Sequence, residues 1–346
     1  SEEYAIKLDW NINENHRASF RYSKSDQDQA NTPGYQGGAP TGGNGQLSLS
    51  GYWYNRAFGF DSYVGQLFSD WTDTFSTEFK VSYRDYSAVR EPFSDRPAVA
   101  VRIGGSTLNI GTEVNTHYNV LETQTWNAFG AGNLYLGDHE LKFGFDYEDN
   151  DLFNAFGRRT NGVYTFNSIA AFAAGTSSSY QYSLPIGGRS DRNSLAASFG
   201  LSNLGVFLQD TWVVNPNLTL TYGFRVDQSD VSGKPNYNAC LATPRGAVSA
   251  GCPNGGLNID NTQSIDGSVL FQPRFGFNYT FDSERRTQLR GSVGLFQGAA
   301  ATVWMANPFS NDGKLFTFYN QTTGIGTFNP DPNNQPIAGV TPAAAI

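Results

Sequence analysis

Helix-building pattern is what this 346-residue sequence lacks. No stretch of three turns repeats apolar residues at helical spacing, whereas a soluble α/β enzyme of this length carries several. Long apolar runs are missing as well. Ile169–Gly175 ("IAAFAAG") is among the longest and falls far short of the ~20 residues of a membrane helix. Positive charge is scarce: 23 Lys and Arg stand against 31 Asp and Glu, a net −8, so a nucleic-acid partner is not expected. Catalytic signatures are absent too. The three histidines are scattered, with His16 and His139 in short polar turns and His117 just before a strand, and no HExxH, GxSxG or P-loop spacing occurs. "GGAPTGGNG" (Gly37–Gly45) has neither the strand nor the helix that makes a glycine loop a phosphate cradle, and reads as a loop tip. "SNDGK" (Ser310–Lys314) and "PDPNNQP" (Pro330–Pro336) hold oxygen ligands without the acidic spacing of a calcium loop. No enzyme activity, metal or cofactor is expected.

What the sequence does hold is aromatic residues and glycine: Tyr 18, Phe 26, Trp 6 and Gly 38. That composition suits strands. "NPNLTLTYGFRVD" (Asn215–Asp227) alternates from Leu218 onward, with Leu218, Leu220, Tyr222, Phe224 and Val226 on one side and Thr219, Thr221, Gly223, Arg225 and Asp227 on the other. Similar strands flank short turns at Asn13–His16, Asp70–Thr74, Gly137–His139, Asn215–Asn217 and Asp282–Arg286, which predicts five hairpins and about ten strands. The aromatic strand from about Tyr52 to Phe68 changes register near Ser62, where a bulge is expected. The remaining connections are long and polar, at roughly 20 residues after the first hairpin, then about Glu91–Thr116, Gly157–Ser198 and Asp230–Ile265. Short turns alternating with long loops, on strands of ten or more residues, are the pattern of an outer-membrane barrel. A mean hydropathy of −0.42 is compatible with it, because such a barrel meets lipid only at every second residue.

The apolar side could instead face a second sheet in a soluble sandwich. Trp10, Trp71 and Trp212 lie in or beside the short turns, as in an aromatic girdle, although they could also plug the bottom of a soluble core. The opposite side carries Arg21, Arg84, Asp146, Glu148, Arg225, Arg274 and Arg290, which suit a wide polar lumen. The expected fold is therefore all-β, an antiparallel transmembrane β-barrel. Arg84, Asp146, Arg225, Arg274 and Arg290 are the lumen-facing candidates for contact with a substrate that the sequence does not name. Cys240 and Cys252 are the only cysteines, twelve apart in one long loop. An even count in an exported protein favours a disulfide, worth ~3 kcal/mol by loop entropy, and two thiols without a nearby histidine are a poor metal site.

Four segments resemble the barrel of TonB-dependent outer-membrane receptors: "YAIKLDWNINENHRASFRYSKSD", "VFLQDTWVVNPNLTLTYGFRVD", "FQPRFGFNYTF" and "LRGSVGLFQGAAATVWMANPFSNDG". The resemblance spans about Tyr4 to Gly313. The hairpin around Asn215 is common across that superfamily, and "GLFQG…VWMANPFSNDG" is similar to its Oar-like group, whose members carry a carboxypeptidase-regulatory-like domain. The resemblance implies a 22-stranded barrel in the bacterial outer membrane, surrounded by lipid and lipopolysaccharide, closed by an N-terminal plug and energised by the TonB complex. It implies uptake of a substrate through that plugged barrel. On this reading residues 1–346 are a partial transmembrane barrel, and the plug and remaining strands of the same parent chain lie elsewhere. The strand-like opening "SEEYAIKLDW" with no leader, and the tail "NPDPNNQPIAGVTPAAAI" with no closing strand, agree with that expectation. A passive porin-like channel and a structural or adhesive surface barrel are the rivals.

Overall fold

The protein's computed structural model describes residues 1–34, 45–188, 190–249, 251–299 and 301–337. The loop tip expected at Gly37–Gly45 lies outside these except for Gly45, and so does the tail beyond residue 337. The chain opens with β1 (Glu2–Asn11) and β2 (His16–Asn31). In their turn Asn13 Oδ1 accepts hydrogen bonds from the amides of Asn15 and His16, each at 2.9 Å, giving partners to donors that so tight a turn leaves unpaired. The short β3 (Gln46–Ser48) leads into the long hairpin β4 (Tyr54–Thr72) and β5 (Phe75–Pro92). Next come β6 (Ala98–Ile103), β7 (Ser106–Ile110), β8 (Asn119–Leu136) and β9 (His139–Phe156). The β8–β9 turn uses Gly137 at φ +61°, a conformation glycine adopts at no steric cost. Then follow β10 (Val163–Phe166), helix α1 (Ile169–Ala173), β11 (Ser179–Pro185), β12 (Ala196–Asn215) and β13 (Leu218–Ser232). The chain continues through α2 (Ala239–Ala242), β14 (Ser268–Phe281), β15 (Thr287–Gly294), α3 (Thr302–Ser310) and β16 (Phe316–Gln321).

Ten of these strands form one antiparallel sheet in the order β1-β2-β4-β5-β8-β9-β12-β13-β14-β15. Because the order follows the chain, successive connections alternate between the two ends of the sheet. All five expected short turns therefore share one end, and the long connections share the other. Most of the strands greatly exceed the usual 5 to 6 residues; β12 has 20 and β4 has 19.

The bulge expected near Ser62 does not occur. Ser62 pairs with Ser23 and with Arg84 in unbroken ladders, and the β4 register shifts only between Asp70 and Thr72. The apparent slip arises because β4 carries Phe58 and Phe60 on one face and Tyr63 and Leu67 on the other. Rings on both faces of a continuous strand mimic a change of phase.

The long connections are more than loops. They contribute a second sheet in the order β16-β11-β10-β6-β7-β3, in which β10 runs parallel to β6 and β3 parallel to β7. Its core is Val99, Val101, Tyr164, Phe166, Tyr180 and Tyr182. Phe328 meets Tyr164 edge-on at 4.9 Å. Burial pushes the Tyr164 hydroxyl up to about 12, so it stays protonated and donates to Gln335 Oε1 at 2.8 Å. A second apolar cluster (Leu152, Ala197, Phe199, Val231) joins Ala306 of α3, and Phe309 stacks on Phe199 at 4.8 Å. Both clusters lie toward the long-loop end. Cys240 and Cys252 form a disulfide within the β13–β14 connection.

Candidate functional site

The large sheet has one apolar face and one polar face. On the apolar face Phe145, Val206, Val226 and Phe271 stand side by side on four strands, with Phe143, Leu208, Phe224 and Pro273 in the next row. These side chains are left uncovered: Phe271 is 56% exposed, Val206 46% and Phe224 38%. In a sandwich the second sheet would bury them, so the six-stranded sheet is not their partner. Along β13 the apolar stretch Leu218–Val226 runs ~27 Å, or ~20 Å along a membrane normal at a tilt near 40°. Tryptophans border it near the short turns, with Trp71 5.0 Å from His16 and Trp212 stacked on His139 at 5.3 Å. Toward the other end runs a ladder of rings, Tyr22–Tyr63–Tyr83–Trp126, at 4.9, 6.3 and 4.8 Å. The Tyr22 hydroxyl donates to Asp61 at 2.7 Å and the Tyr83 hydroxyl to Asp85 at 3.4 Å. Rings that are apolar on one side and hydrogen-bonded on the other belong at headgroup level. Nearer the short turns an acid also stands on this face: Asp210 Oδ2 is held by His139 Nδ1 at 2.7 Å and by the Tyr222 hydroxyl at 2.6 Å.

The polar face centres on Arg225. Its Nε donates to Asp227 Oδ1 and Oδ2 at 2.9 and 2.7 Å, and its Nη2 reaches Asp227 Oδ1 at 2.7 Å and Asp146 Oδ1 at 3.4 Å. Gly205 lies between Asp146 and Asp227 in the ladder, and a Cβ there would overlap the guanidinium. The glycine leaves the room that lets Arg225 lie across the strand and bridge two acids. Asp227 is 2% exposed and also accepts from Asn203 Nδ2 at 3.1 Å and from Gln272 Nε2. Gln272 Oε1 in turn accepts the Gln297 amide at 2.6 Å, so the segment after β15 folds across this face. A second network runs from Arg84 through Thr125 (3.2 Å) and Asn150 (2.7 Å) to Glu148 (2.7 Å). Apart from Thr125, the side chains of these networks line a cavity of about 500 Å³. Fixed charges of both signs, held by part-buried hydrogen bonds, form a preorganised polar wall.

Of the five lumen-facing candidates, the structure brings Arg84, Asp146, Arg225 and Arg274 to this cavity. Arg290 instead lines an open recess beside Arg274. Sequence reasoning missed Asp227 as the partner of Arg225, although "FRVD" puts the two on one face two residues apart. It also missed Gly205, Asn203 and Gln272, which no local pattern marks. Among the described residues no three His, Cys, Asp or Glu group as a metal site.

A protein-family model described as "Outer membrane beta barrel domain" matches residues 1–345. The chain belongs to this family. Its place is the bacterial outer membrane, where the uncovered apolar face is the one suited to lipid. No curated protein matches. Similar solved structures include the copper transporter OprC (12% identity, TM-score 0.45, 84% of this chain and 36% of that one). The ferric-catecholate import receptor Fiu from Escherichia coli K12, in its closed form, is 12% identical over 80% of this chain and 40% of its own, with TM-score 0.46. FpvAI in complex with pyocin S2 is 13% identical over 85% and 36%, with TM-score 0.43. The barrel domain spans 35 to 44% of the length of such structures.

Proposed function

We propose that this barrel domain is part of a TonB-dependent receptor of the Oar-like group, a 22-stranded barrel that takes up a substrate past an N-terminal plug pulled by the TonB complex. The observation that carries the reading is a ten-stranded sheet that is apolar outside and charged inside, with β1 and β15 paired on one side only. In a bilayer each unpaired backbone group costs several kcal/mol, so open edges are untenable and further strands of the same parent chain must continue the sheet. Ten strands closed on themselves would make a narrow barrel filled by side chains. The Arg225 network, the cavity beside it and α3 packed against the inner face call for a wider one. The "GLFQG…VWMANPFSNDG" segment supports the finer grouping. The domain's role is transport, and no catalytic step is assigned to it.

The test is uptake by cells expressing the full-length protein, with and without a functional TonB complex, together with conductance of the purified protein in planar bilayers. Uptake lost without TonB and a closed pore are expected. A steady open pore with TonB-independent uptake would replace the reading by a passive channel.

A further inference from the structure

At the long-loop end a second cleft of about 470 Å³ opens between the ends of β5 and β9, strands β11 and β16, and α3. Arg90, Arg158 and Arg159 line it. Each guanidinium lies over a ring: Arg90 over Tyr54 at 5.9 Å, Arg158 over Phe156 at 5.8 Å and Arg159 over Phe318 at 5.4 Å. A ring beneath a guanidinium fixes its plane without using its N–H donors. Arg56 stands directly opposite Arg90 in the β4–β5 ladder, and like charges so placed destabilise a strand pair. Among the described residues none of these four arginines makes an ion pair. The Nε atoms of Arg56 and Arg158 are buried with no acceptor among them.

Arg159 is held in place deliberately. It has φ +62°, a conformation that strains a side chain of this kind, and its Nε donates to Gln181 Oε1 at 2.9 Å. The acid whose ionisation Arg90 and Arg158 favour is Glu113, but its oxygens are taken by the Asn115 amide (2.9 Å) and Asn115 Nδ2 (2.7 Å). Three arginines are thus set over rings, Arg159 on strained backbone, with Arg56 beside Arg90, and among the described residues none of the four is joined to an acid in an ion pair.

We propose that this cleft binds a small polyanion, a solute carrying two or more carboxylate or phosphate groups. Planar guanidinium forks match such oxyanions, and arginines arriving from β5 and from the segment after β9 can grip two groups at once. Asn119, Asn154, Asn307 and Ser183 add uncharged polar groups around them. The proposal rests on the uptake reading for its use, since it names a substrate class at the mouth of the barrel. Binding and uptake are measured separately, so either can fail while the other stands.

The test is isothermal titration calorimetry of the full-length protein in detergent with citrate and with inorganic pyrophosphate, and mannitol as the neutral control. At least one polyanion binds, more weakly at about 0.15 M salt than at low salt, and mannitol does not. The double variant Arg90→Gln, Arg158→Gln weakens binding at least about tenfold, the size of one lost charge-assisted contact, while Arg158→Lys keeps part of it. No heat with either anion, binding indifferent to salt, or affinity unchanged in the double variant would overturn the proposal. The salt series uses the unmodified protein and stands even where the double variant does not fold.

Discussion

Replacing Phe224 by arginine probes the lipid-facing side of the sheet. Phe224 stands between Leu208 and Pro273 with its ring 38% exposed. From Leu218 it is ~20 Å along the strand and ~15 Å along the normal, inside the ~20 Å apolar stretch and one outward residue short of its far end at Val226. A guanidinium there costs about 2–4 kcal/mol. Thr221, on the inner face between Thr211 and Gly276, should accept arginine for under ~1 kcal/mol, the scale of an ordinary exposed substitution. Tyr222 is the informative intermediate. Its hydroxyl lies 2.6 Å from Asp210 Oδ2, so Tyr222→Arg meets a carboxylate and regains a charge-assisted hydrogen bond of ~1.5–3 kcal/mol. The predicted order of cost is Phe224→Arg, then Tyr222→Arg, then Thr221→Arg, and adding Asp210→Asn moves Tyr222→Arg toward Phe224→Arg. Equilibrium unfolding of the full-length protein in lipid vesicles, followed by tryptophan fluorescence and by heat-modifiable gel migration, measures the series. Equal costs at Phe224 and Thr221 would mean that protein buries both faces, and the membrane assignment would fail.

Three further outcomes follow from the same geometry. Gly205→Ala drives a methyl group into the Arg225–Asp227 pair and should cost about 1–3 kcal/mol as an overpacked site; in an Arg225→Ala background the part due to the guanidinium should be relieved while the overlap with Asp227 Oδ1 stays, as a double-mutant cycle would record. Burial raises the Glu113 pKa above its ordinary 4.5, so the folded loop binds its proton more tightly than the unfolded chain does. Its contribution is greatest below the ordinary carboxylate value and is lost as pH rises through the raised one. Amide-exchange protection at Thr116, whose N–H donates to Glu113 O at 3.0 Å, should therefore decline over that window, and Glu113→Gln should remove the dependence. An epitope tag inserted in the 230–265 connection should be reached by antibody on intact cells and one at Pro216 should not; reversed labelling would invert the orientation.

The parts of this fold written in local pattern were legible. Period-2 alternation along Leu218–Val226 marks a strand with one apolar face, and a run of polar turn residues such as Asn215–Asn217 marks a hairpin, because both depend on neighbours in sequence. The five hairpins and the ten-strand count came from those signals alone. Ser62 misled because Phe58 and Phe60 turn inward while Tyr63 turns outward, and alternation cannot tell a two-faced strand from a slipped one. The six-stranded sheet was illegible for a different reason. β10 has four residues and β3 three, and Tyr180 of β11 pairs with Gln321 of β16, so the signal is short and its partner distant. The lumen candidates were found by charge and parity, which put Arg225 and Asp146 on one face. That Arg225 spends its donors on Asp227 depends on the space above Gly205, which is a fact of packing.

The two faces of the large sheet answer to different demands. The outer belt answers only to lipid. Any apolar or aromatic residue of suitable size satisfies it. The inner face answers to specific partners. The Gln297 amide donates to Gln272, its side chain reaches Asn203 at 3.4 Å, and Phe309 stacks on Phe199, so the segment from Phe296 into α3 is docked by contacts that a generic strand could not supply. It walls the cavity beside Arg225, and its helix borders the arginine cleft. The specific contacts therefore gather on the inner face and the segment docked there, while the outer belt presents only an apolar surface.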